Sequence, residues 1–304
     1  MRALVISGGG SKGAFAGGVA QFLMEELGHN YDLFVGTSTG SLLISHLALQ
    51  KVEKIKEVFT SVNQGSIFNH RPFRIKKTKY GGKEIVIDHF SVLRNFLSGS
   101  KTFGESQSLR KLIAKTFTIE EFEILKASEI EVVVTVSNLS LNQVEYKSIN
   151  DFDYESFCDW IWISCNYVPF MSLVKRDGCE YADGGFGSMV PIEEAINRGA
   201  TIVDVIILET EVAYYNRMPS TNVFSLLTSM HSFMLDRVEK QNIRIGKFVA
   251  SNSNAIINLY YTPTVLTTNS LIFDKKLMSE WWESGFKYAA HKNSELNEIK
   301  TLDA

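Results

Sequence analysis

The first 50 residues contain the same local pattern twice: a short apolar run, a glycine-rich turn and an apolar segment of helical length. The first unit is Arg2–Ser7 followed by Lys12–Leu27, and the second is Tyr31–Gly36 followed by Ser38–Gln50. Short apolar runs bounded by glycines are typical of strands buried on both faces. Strand, turn and helix in immediate succession are typical of a sheet with parallel strands. We therefore expect an α/β fold with a mostly parallel sheet.

The remainder of the chain continues this pattern. Further strands are predicted at Ile130–Leu139, Asn142–Ile149, Cys179–Asp183, Thr201–Leu208 and Asn258–Thr262. Further helices are predicted at Pro191–Ala200, Val223–Ala250 and Asp274–His291, and residues 51–125 are mostly helical in pattern with a break near Lys76–Lys83. Since the chain has no linker and no composition break, we expect one domain over 1–304, with a core of about 1–210 and a mostly helical cover at 211–304.

Composition and charge narrow the class of function. The chain is 45% hydrophobic and 21% charged, which is enough apolar material for a sizeable core. Its formal net charge of −3 gives no electrostatic reason for a nucleic-acid partner. The basic cluster Arg71–Lys83 is predicted to be a solvated loop, with attachment to anionic lipid headgroups as the alternative. A nucleic-acid-binding protein and a protein attached to anionic lipid headgroups both need a strongly basic surface. Composition and charge therefore favour neither of them over an enzyme with a small-molecule or lipid substrate.

The cysteines and the apolar runs indicate the compartment. Cys158, Cys165 and Cys179 form no CxxC pair, so neither a disulfide framework nor a zinc site is expected, which is typical of a reducing compartment. The longest apolar-rich run, Trp160–Val174, is too short to span a bilayer. The N-terminal run has no apolar region with a cleavage site, so no signal peptide is predicted. We expect a cytoplasmic protein without a transmembrane segment, free or peripheral to a membrane.

A glycine-rich loop, Gly8–Gly13 (GGGSKG), follows the first predicted strand. Gly8, Gly10 and Gly13 match the GxGxxG spacing of dinucleotide-binding loops. Such a site needs an acidic residue at the end of the second strand, where the turn around Ser38 stands instead. Backbone N–H groups of successive glycines before a helix can surround one small anion, and the oxyanion of an acyl-transfer reaction is such an anion. The loop therefore indicates an oxyanion site.

Ser38 is the central residue of Gly36–Gly40 (GTSTG), a GxSxG sequence between the second strand and the helix that follows. A sharp strand-to-helix turn exposes the central hydroxyl there, and the flanking glycines, Gly36 and Gly40, relieve crowding. We therefore interpret Ser38 as a candidate nucleophile. Capping of the helix is the alternative, and one serine can do both.

A serine nucleophile needs a base. Among the six histidines, His46 lies on the helix after the nucleophile and His231 on an amphipathic helix, and none lies in a glycine-rich or strand-end motif. Asp183 ends a short strand and is followed by Gly184 and Gly185, which allow close approach to a neighbouring turn. Partial burial would raise its pKa toward the working pH. Asp183 is therefore the candidate base, with an Asx turn as the alternative.

Together, these three motifs resemble those of the patatin-like phospholipase family. GGGSKG at Gly8–Gly13 is similar to the family's oxyanion loop, GTSTG at Gly36–Gly40 to its nucleophile elbow, and DGG at Asp183–Gly185 to its dyad motif. The segment Ile163–Val174 looks like the family's Ser-x-x-x-x-Pro approach to the aspartate strand. The resemblance covers about Arg2–Leu208 and is looser elsewhere.

The resemblance implies a three-layer fold, with a mostly parallel central sheet flanked by helices, and a Ser38–Asp183 dyad. Ser38 would attack an ester carbonyl, Asp183 would act as base and then as acid, and the N–H groups of Gly9, Gly10 and Ser11 would hold the oxyanion. The implied activity is that of a phospholipase A, lysophospholipase or carboxylesterase that acts on a lipid or ester substrate without a metal ion or cofactor.

Three points stay open at this stage. Lys12 stands where the family carries Arg or Lys, and it is expected to anchor the loop, with a contact to a substrate phosphate as the alternative. An acyltransferase would share the first half-reaction with a hydrolase. A non-catalytic lipid- or protein-binding scaffold would keep the fold, and the adjacent Trp281 and Trp282, of which at least one is expected to be exposed, would fit it.

Overall fold

The computed structural model describes residues 1–77, 83–97, 99–212 and 223–302. Its strands are β1 (Arg2–Ile6), β2 (Leu33–Thr37), β3 (Phe73–Lys77), β4 (Lys83–Ile87), β5 (Glu131–Asn138), β6 (Gln143–Ser148), β7 (Val174–Arg176), β8 (Cys179–Asp183), β9 (Ile202–Ile207) and β10 (Ile256–Tyr261). Its α-helices are α1 (Gly13–Gln21), α2 (Thr39–Ala48), α3 (Val52–Ser61), α4 (Gln64–Ile67), α5 (His89–Leu97), α6 (Gln107–Thr116), α7 (Ile119–Lys126), α8 (Tyr154–Ser164), α9 (Ile192–Asn197), α10 (Val223–Ser253) and α11 (Lys275–Leu302).

The main sheet has the strand order β10-β9-β1-β2-β5-β8-β7, with β6 also paired to β5. The five strands from β10 to β5 run parallel, and β6, β7 and β8 pair antiparallel. Every strand predicted from the sequence is present within a few residues of its expected bounds. The central strands read as continuous apolar runs because helices cover both of their faces.

Two separate cores lie on the two faces of this sheet. Successive strand residues point to opposite faces, so Leu4 and Ile6 belong to one core while Ala3 and Val5 belong to the other. The first core is closed by α1, α2, α3, α8 and α11, and the second by α9 and α10. The predicted three-layer α/β architecture is therefore confirmed.

Helices α1 and α11 pack closely because small residues face large ones. A Cβ at Gly17 would lie 2.1 Å from the ring of Trp282, and one at Gly18 would lie 1.9 Å from the Trp282 carbonyl oxygen. The Trp282 indole N–H donates to Gln21 Oε1 over 2.8 Å. Trp281 and Trp282 are both buried, so the expectation of an exposed tryptophan is wrong. The Trp282 ring packs between these helices, and Trp281 belongs to the same core.

Residues 51–125 are predicted to be mostly helical, and the structure differs from this prediction around the basic cluster Arg71–Lys83. The basic cluster Arg71–Lys83 is predicted as a solvated loop, but β3 and β4 pair there as an antiparallel hairpin. Alternating side chains explain the difference: Phe73 is buried and Arg74 is exposed, which is the period of a half-buried strand. Residues 78–82 of the cluster lie outside the described ranges.

Two further sequence expectations can be compared with the structure. Cys158, Cys165 and Cys179 are free thiols. Within the described ranges, none of the helices combines the length and the apolar character needed to cross a membrane.

Candidate active site

The sheet topology brings two strand ends together along β5. β6 occupies one edge of β5, so β2 and β8 share the other edge and run toward each other along it. Thr37, the last residue of β2, pairs with Thr135, while Asp183, the last residue of β8, pairs with the next residue, Val136. The residue after β2 is Ser38. Strand pairing therefore places the two candidate residues side by side.

The Ser38 side chain is directed at Asp183. Its Oγ donates to Asp183 Oδ2 over 2.7 Å, so the hydroxyl is used in this bond rather than to cap α2. Ser38 has φ 53° and ψ −122°, a strained backbone conformation for a residue with a side chain. A Cβ at Gly36 would lie 2.6 Å from the Gly40 carbonyl carbon, and one at Gly40 would lie 2.3 Å from the Ile6 carbonyl oxygen. Only glycines fit on either side of this turn.

Side chains from α8 and α2 hold the turn in place. The Ser38 backbone N–H donates to Ser164 Oγ over 2.9 Å, and Ser164 Oγ lies 2.8 Å from Ser41 Oγ. Ser41 Oγ donates to the Gly36 carbonyl over 2.9 Å. The Cys165 thiol donates to the Ser38 carbonyl over 3.1 Å. Sequence reasoning assigned no role to Ser164, although it is the serine of the Ser-x-x-x-x-Pro pattern.

The Asp183 carboxylate is buried, and each of its two oxygens accepts one hydrogen bond. Oδ2 accepts from Ser38, and Oδ1 accepts the Gly185 N–H over 2.8 Å. Burial raises the pKa of Asp183 to about 7, although both hydrogen bonds oppose the rise. A Cβ at Gly184 would lie 2.2 Å from the Thr135 carbonyl oxygen, which explains the glycine after the aspartate. The Asx-turn alternative and the base interpretation are thus compatible.

The glycine-rich loop lies against the nucleophile turn. A Cβ at Gly8 would be 3.2 Å from the Ser38 Cβ, and Gly10 has φ +56°, which favours glycine. The Ser11 N–H, which the resemblance places among the oxyanion donors, instead donates to the Ser270 carbonyl over 2.8 Å. That part of the expectation is therefore wrong, because the donor is already used by the segment that covers the loop.

The hydrogen bonds of the other backbone N–H groups in the loop show which of them are free to bind an oxyanion. The Gly8 N–H donates to the Met189 carbonyl over 3.2 Å. The N–H groups of Gly9 and Gly10 have no acceptor among the residues that the structure describes. A Cβ at Gly9 would lie 2.7 Å from the Leu208 side chain, so this residue too must be glycine. Gly9 and Gly10 are the two candidate oxyanion donors.

Lys12 and Gly13 anchor the loop at its far end. Lys12 is buried, and its ammonium group forms an ion pair with Glu209, the second residue after β9. A Cβ at Gly13 would lie 2.3 Å from Thr39 Oγ1, so the start of α1 packs directly against the start of α2. These contacts favour the anchoring interpretation of Lys12.

Neither of the two histidines that line or flank the site is bonded to Ser38. The His46 Nε2 lies 3.2 Å from the Thr116 carbonyl, and burial lowers the pKa of His46. The His231 ring contacts the rings of Tyr167 and Phe186, with centroid distances of 4.7 and 5.1 Å. Within the described part of the chain, the side chain that accepts the hydrogen bond from the Ser38 hydroxyl is therefore the carboxylate of Asp183.

A cavity of about 630 Å³ contains both members of the pair. One part, here called the apolar wall, is formed by Leu42, Ile55, Val58, Phe59, Val62, Ile67, Leu109, Leu112, Ile113, Phe117, Ile161 and Met171. Another part, here called the polar wall, contains Lys12, Glu209, Thr210, Ser229, Ser232, Asp236, Glu239, Lys240, Thr267, Thr268 and Ser270, and the same segments also contribute the apolar side chains of Leu235, Val265, Leu271, Phe273 and Met278. The Gly8–Gly10 loop also lines the cavity, so the candidate oxyanion donors, the candidate nucleophile and the candidate base face one space.

Comparison with known proteins identifies the family of this chain. The family model of the patatin-like phospholipases matches residues 4–196, which include all three motifs. The chain therefore belongs to the patatin-like phospholipase family, a family of lipid acyl hydrolases. No curated protein matches the sequence.

Solved structures support the same fold. The crystal structure of VipD from Legionella pneumophila superposes with a TM-score of 0.51 at 15% sequence identity. The match covers 95% of this chain and 66% of the VipD chain, so this chain spans slightly less than two thirds of VipD. At this identity the likeness concerns the fold.

Proposed function

We propose that this protein is a serine lipid acyl hydrolase of the phospholipase A, lysophospholipase or carboxylesterase type, with Ser38 as nucleophile and Asp183 as base. The observation that carries the proposal is the 2.7 Å hydrogen bond from Ser38 Oγ to Asp183 Oδ2 inside a cavity with an apolar wall. Burial raises the pKa of Asp183 to about 7, which suits a base that works near neutral pH.

In the first half-reaction, Ser38 Oγ attacks the carbonyl carbon of an ester while Asp183 accepts the hydroxyl proton. The negative charge on the carbonyl oxygen is stabilised by the N–H groups of Gly9 and Gly10 and by the positive end of the helix that follows. The C–O bond to the alcohol then breaks, and Asp183 returns the proton to the leaving oxygen. The products are a free alcohol and an acyl group on Ser38.

In the second half-reaction, Asp183 takes a proton from water and the water oxygen attacks the acyl carbon. Collapse of the second tetrahedral intermediate releases the carboxylic acid, and the proton returns to Ser38 Oγ. Ser38, Asp183 and the loop are therefore regenerated in their starting states. Transfer to an alcohol instead of water would follow the same steps, and product analysis distinguishes the two outcomes.

The apolar wall is the proposed site of the acyl chain. It is built from α2, α3, α4, α6 and α8, which lie on the first-core side of the sheet. An alkyl chain that leaves water for this wall gains roughly 0.8 kcal/mol per methylene group. Selectivity for acyl esters with long chains follows from this gain.

The N-terminal half of α10 is the proposed contact with a lipid surface. Its Ser229 and Ser232 line the cavity, while Met230 and Phe233 are 53% and 61% exposed on the adjacent face of the helix. Leu226, Leu227 and Met234 extend this exposed apolar face. Because the same helix forms a cavity wall and an apolar surface, a bilayer bound there would present lipid next to the cavity. The three free thiols support the proposed cytoplasmic, membrane-peripheral location.

A fluorophosphonate probe followed by peptide mass mapping tests the proposed function. We expect covalent label on Ser38, no label in Ser38→Ala, and strongly reduced label in Asp183→Asn. Hydrolysis of short-chain esters and lysophospholipids should be lost in Ser38→Ala while the circular dichroism spectrum stays unchanged. Folded wild-type protein that takes no label, or Ser38→Ala protein that keeps full turnover, would contradict the proposal.

A further inference from the structure

The polar wall of the cavity contains more carboxyl groups than ammonium groups. Among the described residues that line it, Glu209, Asp236 and Glu239 face Lys12 and Lys240. Lys12 is paired with Glu209, and both Asp236 and Lys240 have partners of their own. One carboxyl group is therefore in excess. When this carboxyl group is ionised, the wall carries a net negative charge, which repels an anionic group and attracts a cation.

Glu239 is the carboxyl group in excess. It lines the cavity and is only 8% exposed, yet no hydrogen bond or ion pair to its carboxyl group occurs in the part of the chain that is described. An isolated buried carboxylate is unfavourable, so the group stays protonated unless a cation binds beside it. Because Glu239 lines the cavity, the space available for that cation is the cavity itself.

The turn of α10 that carries Glu239 is held firmly against the site. Asn242, three residues further along the helix, accepts the N–H groups of Met189 and Val190 over 2.8 and 3.3 Å. Met189 in turn accepts the N–H of Gly8 over 3.2 Å. Glu239 is thus connected through two hydrogen bonds to the loop that lies against the nucleophile, so its position relative to Ser38 is set by the fold.

The pKa of Glu239 is raised because its carboxyl group is buried without a hydrogen-bond or ion-pair partner among the described residues. Burial and then the Glu209 carboxylate raise the pKa of Glu239 to about 8. The other ionisable groups that act on it are Asp236, which raises its pKa, and Lys12 and Lys240, which lower it. Tyr261 of β10 also faces it and stays neutral, because burial raises the pKa of Tyr261 to about 12. A cation bound beside Glu239 would favour its ionised form.

Resting on the proposed ester hydrolysis, we propose that the polar wall binds a positively charged ammonium group in the alcohol part of the substrate, and that Glu239 selects for it. The acyl chain lies along the apolar wall, so the alcohol part is left to the polar wall. The preferred substrates are then acyl esters of amino alcohols. Esters whose alcohol part is neutral or carries only negative charge are poorer substrates.

Two esters of equal shape test the proposal. Choline esters and 3,3-dimethylbutyl esters of the same fatty acid differ by a charged nitrogen in place of a carbon. We expect wild-type protein to prefer the choline ester at least about tenfold in kcat/KM, since tenfold corresponds to about 1.4 kcal/mol of charge interaction. In Glu239→Gln the ratio should fall to about one. Glu57→Gln, the same chemical change at an exposed position of α3, should keep the wild-type ratio.

The pH dependence of this preference provides a second readout. The choline charge is permanent, so any change of the ratio with pH reports on the protein. We expect the ratio to increase as pH rises through about 8 and Glu239 ionises, and the increase to be absent in Glu239→Gln. A wild-type ratio of one, or an unchanged ratio in Glu239→Gln, overturns the ammonium site.

Binding without turnover separates this proposal from the proposed function. Choline should raise the melting temperature of Ser38→Ala protein, and the rise should disappear in Ser38→Ala/Glu239→Gln. Absence of the rise overturns the ammonium site even if Ser38 is labelled by fluorophosphonate. Absence of the label on folded protein overturns the hydrolase even if choline binds. Each failure is thus visible by itself.

Discussion

Ser164, the last residue of α8, accepts the backbone N–H of Ser38 on its hydroxyl oxygen over 2.9 Å. The two residues are far apart in sequence, and the bond connects a helix end to the turn that carries the nucleophile. Through Ser41, the same hydroxyl is linked to the Gly36 carbonyl at the end of β2. Because the Ser38 backbone is strained, this small network determines whether its hydroxyl points at Asp183.

Replacement of Ser164 by Ala should therefore reduce turnover without removing the dyad. We expect kcat to fall about tenfold with little change in KM, because an orienting bond is lost while the substrate cavity is retained. The free energy of unfolding should fall by about 1–2 kcal/mol, since the Ser38 amide and Ser41 hydroxyl lose a buried partner. Steady-state kinetics and urea unfolding measure both effects. Ser61→Ala, at an exposed helix end, is the control, and equal kinetics in the two variants would contradict a positioning role.

Activity of the wild-type protein should rise with pH through about 7. The proposed base, Asp183, can accept a proton only when it is ionised, and burial raises its pKa to about 7. Below that pH, kcat/KM on a neutral soluble ester should fall about tenfold per pH unit. A pH profile of that ester between pH 5 and 9 measures this. A profile that is flat through pH 7 would argue against Asp183 as the base.

Replacement of Asp183 by Asn should stabilise the protein at alkaline pH while it removes activity. The folded-state pKa of Asp183 is raised from 3.8 to about 7, so its contribution to stability is full below pH 3.8 and is lost as pH rises through 7. Asn is neutral: its Oδ1 can still accept the Gly185 N–H, while its Nδ2 donates to Ser38 Oγ in place of the bond that Asp183 accepts. We expect a gain on the order of 3 kcal/mol at pH 8 and on the order of 1 kcal/mol at pH 5. Denaturant unfolding at the two pH values measures the difference, and equal gains would indicate an ordinary pKa.

Enlargement of a residue in the apolar wall should shorten the preferred acyl chain. Leu112 of α6 lines the cavity and is partly buried, so Leu112→Trp would fill part of the space next to it. We expect kcat/KM for a long-chain ester to fall about tenfold or more, while the value for a butyrate ester changes less than about twofold. Leu93→Trp, at an exposed position of α5, should leave the chain-length profile as in the wild type. A parallel loss on both esters in Leu112→Trp would place the acyl chain elsewhere.

Loss of the apolar face of α10 should affect membrane substrates alone. Phe233 is 61% exposed. If its ring is buried in a bilayer, its replacement would weaken membrane binding by roughly 2 kcal/mol. We expect Phe233→Ser to reduce turnover of vesicle-bound phospholipid about tenfold and to leave hydrolysis of a soluble butyrate ester near the wild-type rate. Phe248→Ser provides the control, because Phe248 is equally exposed but lies beyond the cavity-lining part of the helix. Equal losses in both variants would show that this face is not the specific contact.

Local sequence was sufficient for the elements and the three motifs. The mostly apolar runs at Arg2–Ser7 and Tyr31–Gly36 predicted parallel strands, because a strand covered by helices on both faces has successive apolar residues instead of an alternating pattern. Glycines at 36, 40 and 184 marked turns where the structure leaves no room for a Cβ. Such features depend only on residues that are close in sequence, so they can be recognised without knowledge of the fold.

Tertiary structure decided what those motifs do together. The pairing of Thr37 and Asp183 with successive residues of β5 depends on hydrogen bonds between strands that are far apart in the chain. The use of the Ser11 N–H by Ser270, the support from Ser164 and the burial of Glu239 likewise depend on contacts across the chain. Local periodicity carries no information about which distant segment meets a given residue. The candidate nucleophile could therefore be recognised from the sequence, whereas the contacts that hold it, the candidate oxyanion donors and the charged groups of its cavity required the fold.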